Sequence, residues 1–399
     1  MTITAPEPSQ SQALDVGHGP GSSTKAAGSR SLARLRPYLS LVAIAVLAFV
    51  LLVWAPGSMT AFRLSNLGKY SALALAAMGI GLAWGRGGML VMGQGVFFGI
   101  GGYATAMHMK LEAAGEGQVP DFMQLYGDGT MPSWWEPFRS GPFTVFVILA
   151  APALVSYILG FVILKRRVKG AYLAILTQAL AVAFATLLVA TIKQTGGFNG
   201  LNTFTTFFGH NLYDPDVKKN VYLITAGLVI VFLVILWQLY RSRYGELLIA
   251  TRDAEERVRF LGYDPANIKL FAFVLAAVMA SVGGSMFVPI AGIISPTNVD
   301  AAASIVLLAG VALGGRASLF GPVLGAIAVG YGQSTLSERF PTRWTYSLGA
   351  LFIVVVLLLP GGVASLGSKF KSPGSMIGWL RPGKASRIEL DHAKSEAVA

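Results

Sequence analysis

Stretches free of Asp, Glu, Lys and Arg recur along the chain at 37–62, 70–85, 87–109, 140–164, 170–192, 220–240, 270–299, 301–315, 317–337 and 344–368. A helix needs roughly 20 apolar residues to cross a bilayer, within a range of about 17–25, and most of these windows qualify. The short window 70–85 is lengthened if Lys69 snorkels to the interface. The other short one, 301–315, is Gly-rich and lies beside Pro296, the pattern of a re-entrant or broken segment. Ten spans are predicted, with eight to eleven accommodated. Lipid offers the backbone no hydrogen-bond partner, so each crossing is helical. The predicted fold class is therefore all-α, a polytopic transmembrane helical bundle.

Outside the windows the pattern changes. Residues 1–36 are rich in Ser, Gly, Ala and Pro and lack hydrophobic periodicity, which predicts a disordered tail. Arg30, Arg34 and Arg36 precede the first apolar run, as in a signal peptide. The polar lead is too long for that, and there is no small-residue cleavage site, so an uncleaved first span is expected. The membrane domain is read as 37–368, with a cytoplasmic loop at 241–269 and a second tail at 369–399.

Charge orients the bundle. Threading ten spans from a cytoplasmic N-terminus leaves 22 of the 31 Lys and Arg residues inside and 9 outside, while acidic residues divide 10 inside and 9 outside. This meets the positive-inside rule and sets both termini in the cytoplasm. It also accounts for the net charge of +12 without a nucleic acid partner. Charged residues make up 13% of the chain, against about 25% in soluble domains. A multi-pass protein of a bacterial inner membrane is expected.

Several chemistries are excluded. There is no cysteine, so thiolate catalysis and cysteine metal sites are absent. The four histidines, His18, His108, His210 and His392, have no ligand-like spacing, and no metal is expected. No phosphate loop exists: Lys69 is followed by Tyr70, and Lys384 by Ala385. ATP is not expected to bind this chain. No nucleophile elbow and no aspartate pair lies in a span, so no catalytic residue is assigned. No carboxylate falls in any window, which argues against an ion-coupled carrier. A passive channel would not need a capped, charged helix in its cytoplasmic loop, and the segment from Arg252 to Pro265 reads as one.

In that segment Asp253 can cap a helix, with Glu256 three residues on. Gly262 suits the left-handed position after the helix, and Pro265 prevents its continuation. Asp253 with Arg257, and Glu255 with Arg259, are i,i+4 pairs worth about 0.2–0.5 kcal/mol each. The pattern predicts a helix over 254–261, with Val258 and Leu261 on one face. Two turns alone are marginal in water. The helix needs either this protein's own spans or a groove on a partner ATPase, and the local pattern leaves both open.

Solute-path candidates are weaker. Glycines at 85, 87, 88, 93, 95, 99, 101 and 102 signal close helix packing or a broken helix whose freed backbone, with Gln94, lines a polar path. Gln94, Thr105, Thr177, Gln178 and Gln333 are polar residues within spans. Such a path, without fixed charge, suits a neutral solute. The outer loop carries Phe122, Tyr126, Trp134, Trp135 and Phe138, either as interfacial aromatics or as a docking surface.

The run 245–289, with 93–103 (GQGVFFGIGGY) and 314–322 (GGRASLFGP), resembles the branched-chain amino acid type of ATP-binding-cassette importer permeases, on the LivM side of the pair. The resemblance covers roughly 65–366. It implies that Arg252, Asp253, Glu255, Glu256, Arg257, Arg259 and Gly262 couple the chain to an ATPase. It implies as partners a second, LivH-like permease, two cytoplasmic ATP-binding subunits that use the ATP, and an extracytoplasmic binding protein. Within the family the closest likeness is to urea permeases, through 120–123, Trp134 and Trp135, Gln178, 198–201 and 260–265. Gln94, Phe97, Phe98, Tyr103, Thr177, Gln178 and Asn199 are the implied path residues, and Trp134 with Trp135 the implied binding-protein contact. The basic N-terminal tail is longer than the family core requires.

Overall fold

A computed structural model describes residues 40–340 except 167 and 169, together with 346, 349, 350, 353 and 362. Both tails and nearly all of the window 344–368 lie outside the described residues. The chain divides into two compact units, Met1–Leu47 and Ala48–Ala399. The described part of the first, residues 40–47, is helical. The second holds the rest of the bundle.

Among the described residues, seven helices are long and apolar enough to cross a membrane: Ser40–Ser58, Ala61–Arg86, Gly141–Lys165, Ala171–Ala190, Pro215–Arg241, Pro265–Ala291 and Pro296–Gly314. The first six are labelled α1, α2, α4, α5, α6 and α9. Two others, α3 (Gln94–Ala114) and α11 (Gly321–Arg339), match them in length. Glycine and polar residues make these two less apolar. For α3 the reason is burial: it is enclosed by protein almost throughout and needs no lipid-facing side chains. The window 301–315 is not itself broken; the interruption lies just before it, at 299–300. Its helix, α10 (Ala301–Gly314), has 14 residues and comes after the short 3-10 turn Pro296–Asn298.

Among the described residues, the regular structure is helical apart from four two-residue strands. β1 (Leu201–Asn202) pairs antiparallel with β4 (Ile293–Ile294), and β2 (Thr206–Phe207) pairs with β3 (His210–Asn211). Between α6 and α9 lie two short helices, α7 (Arg243–Asp253) and α8 (Glu255–Phe260). Helix ends obey local chemistry. Ser242 caps α7 by accepting from Gly245 N, and Asp264 caps α9 by accepting from Ala266 N, with Pro265 at the first helical position.

The centre is α9, packed against α2, α3 and α4. Small residues allow that closeness. Ala72, Ala76, Ala77, Ala276, Ala277 and Ala280 are fully buried, and a Cβ on Gly79 would stand 2.6 Å from the Ala276 carbonyl oxygen. Membrane helices associate through such contacts because lipid supplies no hydrophobic drive between them. The same holds along α3, where added Cβ atoms at Gly95, Gly99 and Gly102 would strike Val299, Ser304 or Ile294. The glycines of α3 are therefore a packing seam for segment 294–304, and the helix is unbroken.

Candidate functional site

One end of α2 collects the charged machinery. Its last turn, Gly81–Arg86, is π-wound, and the chain then runs without helix from Gly88 to Gly93. The Arg86 guanidinium lies 4.2 Å from the Tyr240 ring centre, and Arg316 lies 4.8 Å from that of Trp84. Arg252 reaches the same turn from α7 and donates to the Gly85 carbonyl at 2.7 Å.

The helix expected at 254–261 is present as α8, with a different start. Asp253 is the last residue of α7, and Ala254 (φ −150°, ψ 64°) breaks the two helices apart. Asp253 therefore does not cap α8. It takes two hydrogen bonds from Arg252, at 2.7 and 3.2 Å, rather than facing Arg257. Those bonds hold its carboxyl below the ordinary carboxylate value. Helix α7 is an addition to the expected loop; its signals are the Ser242 cap and the buried Leu248 and Thr251.

The end of α8 matches expectation. Gly262 has φ +86°, its N–H meets Arg259 O at 3.0 Å, and Tyr263 N meets Val258 O at 3.3 Å. This is the paired closure that satisfies last-turn carbonyls. Glu255 pairs with Arg259 at 3.2 Å, as expected, and with Lys269 of α9 at 2.8 Å. Arg259 also meets Glu256 at 3.3 Å. Lys165, at the end of α4, bonds Asp264 and holds its carboxyl low. Lys165, Glu255, Arg259, Asp264 and Lys269 line a polar cavity of about 240 Å³ beneath α8.

Apolar residues on this loop divide. Val258 is buried, whereas Leu261 is 75% exposed, so the expected shared face does not form. Phe260 is 91% and Tyr263 50% exposed beside it. The tip of the loop is thus an uncovered apolar knob on a charged, braced helix.

The path residues are only partly gathered. Gln94 is fully buried at the start of α3, donates to Ala276 O at 2.6 Å, and leaves its Oε1 without a partner among the described residues. Thr177 of α5 accepts from Met92 N at 3.1 Å. Gly93, Phe97 and Thr177 line a cavity of about 440 Å³ with α4 and Phe273. That lining is apolar apart from Thr177. Phe98 turns elsewhere, edge-on to Phe287, and the Tyr103 hydroxyl is buried without a partner among the described residues. Gln178 is half-buried and does not line the cavity. Asn199 sits apart in the turn Gly197–Asn199, donating to the Tyr126 hydroxyl at 3.3 Å.

The opposite end is capped by short helices at Asp121–Tyr126 and Ser133–Arg139. Trp135 is fully buried there, with Phe122 at 5.6 Å, while Trp134 stays 46% exposed. Of the expected docking pair, only Trp134 reaches the surface. Helix α3 carries His108, Lys110 and Glu112 into this cap, the last two beyond the charge-free window that ends at 109. Lys110 is buried and paired with Asp121 at 3.0 Å. His108 bonds Phe138 O at 2.7 Å, and Glu112 accepts from Gly209 N. A window that stops at the first charge cannot find Lys110 and Glu112.

Comparison with known proteins agrees with this architecture. Residues 62–359 match the family model described as branched-chain amino acid transport system / permease component. The chain is 30% identical over 312 residues to the high-affinity branched-chain amino acid transport system permease protein LivM of Escherichia coli (strain K12), covering 72% of this chain and 67% of the relative. It is 26% identical over 163 residues to the fructose import permease protein FrcC of Rhizobium meliloti, covering 38% and 44%. It is 29% identical over 139 residues to the autoinducer 2 import system permease protein LsrC of Yersinia pestis (strain Pestoides F), covering 33% and 40%. No solved structure matches.

Proposed function

We propose that this chain, which belongs to the branched-chain amino acid transport system permease family, passes urea or a short amide inward as one of two permease subunits of an ATP-driven importer. It is a multi-pass permease component and not an enzyme. Its partners in this reading are a LivH-like permease, two cytoplasmic ATP-binding subunits that hydrolyse the ATP, and an extracytoplasmic binding protein. It crosses the bacterial inner membrane ten times, with both termini in the cytoplasm.

One observation carries the coupling role. Phe260, Leu261 and Tyr263 are exposed at the tip of a loop whose flanks are charged and paired. Water gains nothing from contact with such a knob, and the charges keep it out of lipid. A cleft on another protein satisfies both, with Phe260 and Leu261 in the cleft and Arg257 and Glu256 on its rim. The coupling residues then divide in two. Glu255, Arg259, Asp253 and Gly262 hold the helix in place, while the tip makes the contact. Reversing charge at Glu255 and Glu256 together is expected to abolish uptake while the chain still reaches the membrane. Native uptake by that variant would remove the coupling role.

For the solute, the buried polar groups from Gln94 to Thr105 on α3, with Thr177, Ser281, Ser285 and Ser304, are amides and hydroxyls without fixed charge. This supports a neutral cargo. The likeness to LivM supports a second reading, a branched-chain amino acid. Uptake of labelled urea by cells with and without this chain, with excess leucine and acetamide present, decides between them. Urea uptake that is lost on deletion and indifferent to leucine sustains the first. Urea uptake unchanged by deletion transfers the assignment to the second, with leucine uptake measured next.

A further inference from the structure

Arg252 does something other than face a partner. Its Nε and Nη2 are taken by the two carboxylate oxygens of Asp253, which fixes the plane of the guanidinium. Its Nη1 is then aimed at the Gly85 carbonyl, 167 residues away in sequence. Last-turn carbonyls are the ones a helix leaves unsatisfied, and a cation there also meets the negative end of the helix dipole. The stem of Arg252 lies on Gly88, where a Cβ would stand 2.6 Å from Arg252 Cγ. Gly88 has φ +67°, which strains a side chain there, and the Arg252 stem occupies the space that a Cβ would take. A lysine could not reproduce this geometry, because its single nitrogen offers no planar fork to bind the carboxylate in two places while a third N–H points at Gly85.

The turn that Arg252 grips opens directly onto the candidate path. Beyond Gly88 the chain runs to Gly93, where Met92 N bonds Thr177 of α5, and Gly95 N bonds the Ser304 hydroxyl of α10 at 3.0 Å. Elsewhere the loop is braced on α9, through Tyr244 to Ile268 O at 2.6 Å and through Glu255 to Lys269. We infer that Arg252 is a positioning residue that ties the α7–α8 loop to the π-wound end of α2, so that movement of the loop is passed along residues 88–93 to the start of α3 and to its contacts on α5 and α10. This tie rests on the coupling role proposed for the loop.

The test uses the full importer in proteoliposomes, with labelled urea, or labelled leucine if urea is not taken up. Arg252→Lys is expected to keep all subunits associated and ATP hydrolysis running, while solute moved per ATP falls roughly tenfold. A native ratio overturns the inference. The chain has no cysteine, which allows a second variant, Gly88→Cys with Arg252→Cys. The two Cβ positions lie 3.3 Å apart, close to the span of a disulfide. If Arg252 acts by tying, oxidising the two thiols with copper phenanthroline restores the ratio that the reduced form lacks. Equal ratios in both forms overturn the inference, and this arm decides alone if Arg252→Lys fails to assemble. Phe260→Ser separates the two readings. If Phe260→Ser keeps ATPase association and native uptake, the coupling reading itself falls. If Phe260→Ser loses both while Arg252→Lys stays native, only the tie falls.

Discussion

The two ends of the bundle treat most of their large apolar residues differently. In the cap formed by 115–140, Phe122, Trp135 and Phe138 turn inward and are buried, while Trp134 and Leu125 stay exposed. In the loop 242–264, Phe260, Leu261 and Tyr263 turn outward into water, and Val258 alone of the apolar residues of α8 is buried. Both ends are rich in charge, so polarity does not separate them. The difference lies in what completes each one. The cap closes over its own core, with the Lys110–Asp121 pair and the Glu112 contact holding it. The loop is held by pairs at its base, and its tip is left uncovered by the described residues. A region that finishes its own core reads as structure, and one that leaves its largest apolar side chains uncovered reads as an interface.

The contrast can be broken most forcefully at Trp135. Trp135→Ala is expected to cost about 3–5 kcal/mol, as large-to-small core changes do, and to lower the amount of folded chain in the membrane. Normal abundance and thermal stability would show that the cap has no core of its own. At the other end, Phe260→Ser with Leu261→Ser should leave stability within about 0.5 kcal/mol, because nothing among the described residues covers them. Their effect is expected in co-purification of the ATPase, which should be lost. Glu255→Gln leaves Lys269 and Arg259 half-buried with a weaker acceptor, a cost of about 1–3 kcal/mol, visible as faster proteolysis of 242–264. Gly262→Ala forces a side chain into φ +86° and should cost about 1 kcal/mol. The smallest effect is in acid. Asp253 and Asp264 have folded pKa values below the ordinary 3.8. Their contribution is therefore complete above that value and lost as pH falls through the folded one. Loop proteolysis should be flat from about pH 5 to 8 and rise only in stronger acid.

Much of this architecture is legible from residue order. The boundary between α8 and α9 is, because Gly262, Asp264 and Pro265 each act locally and need no tertiary partner. The break before α10 is, because Pro296 and a short Gly-rich window speak for themselves. The cap of α8 is not. Asp253 has the right residue type, but α7 reaches it first, and Arg252 competes for its carboxylate. The membrane spans are legible as windows, yet a charge-free window treats α3 and α4 alike. One is enclosed by protein and the other faces outward along most of its length, and only packing tells them apart. The path residues are the least legible. Gln94 and Thr177 come within one linker of each other, while Gln178, one residue on, points away from the cavity. Adjacent positions on a helix are about 100° apart around its axis, and the sequence does not say which of them faces inward.

The seam on α3 sets a limit on change. Gly95 and Gly99 lie against 294–304 with no room for a methyl group, and Gly102 with little. Change along that stripe is costly, since a replacement at Gly95 meets the Val299 carbonyl and those at Gly99 and Gly102 meet the side chains of Val299 and Ile294. Mutational freedom is found across the cavity instead, on Leu176, Leu180 and Ala183 of α5 and Ile158 and Val162 of α4. Under the proposed reading, a library built on those positions would explore specificity, whereas one built on the seam is expected to return mostly chains that do not assemble.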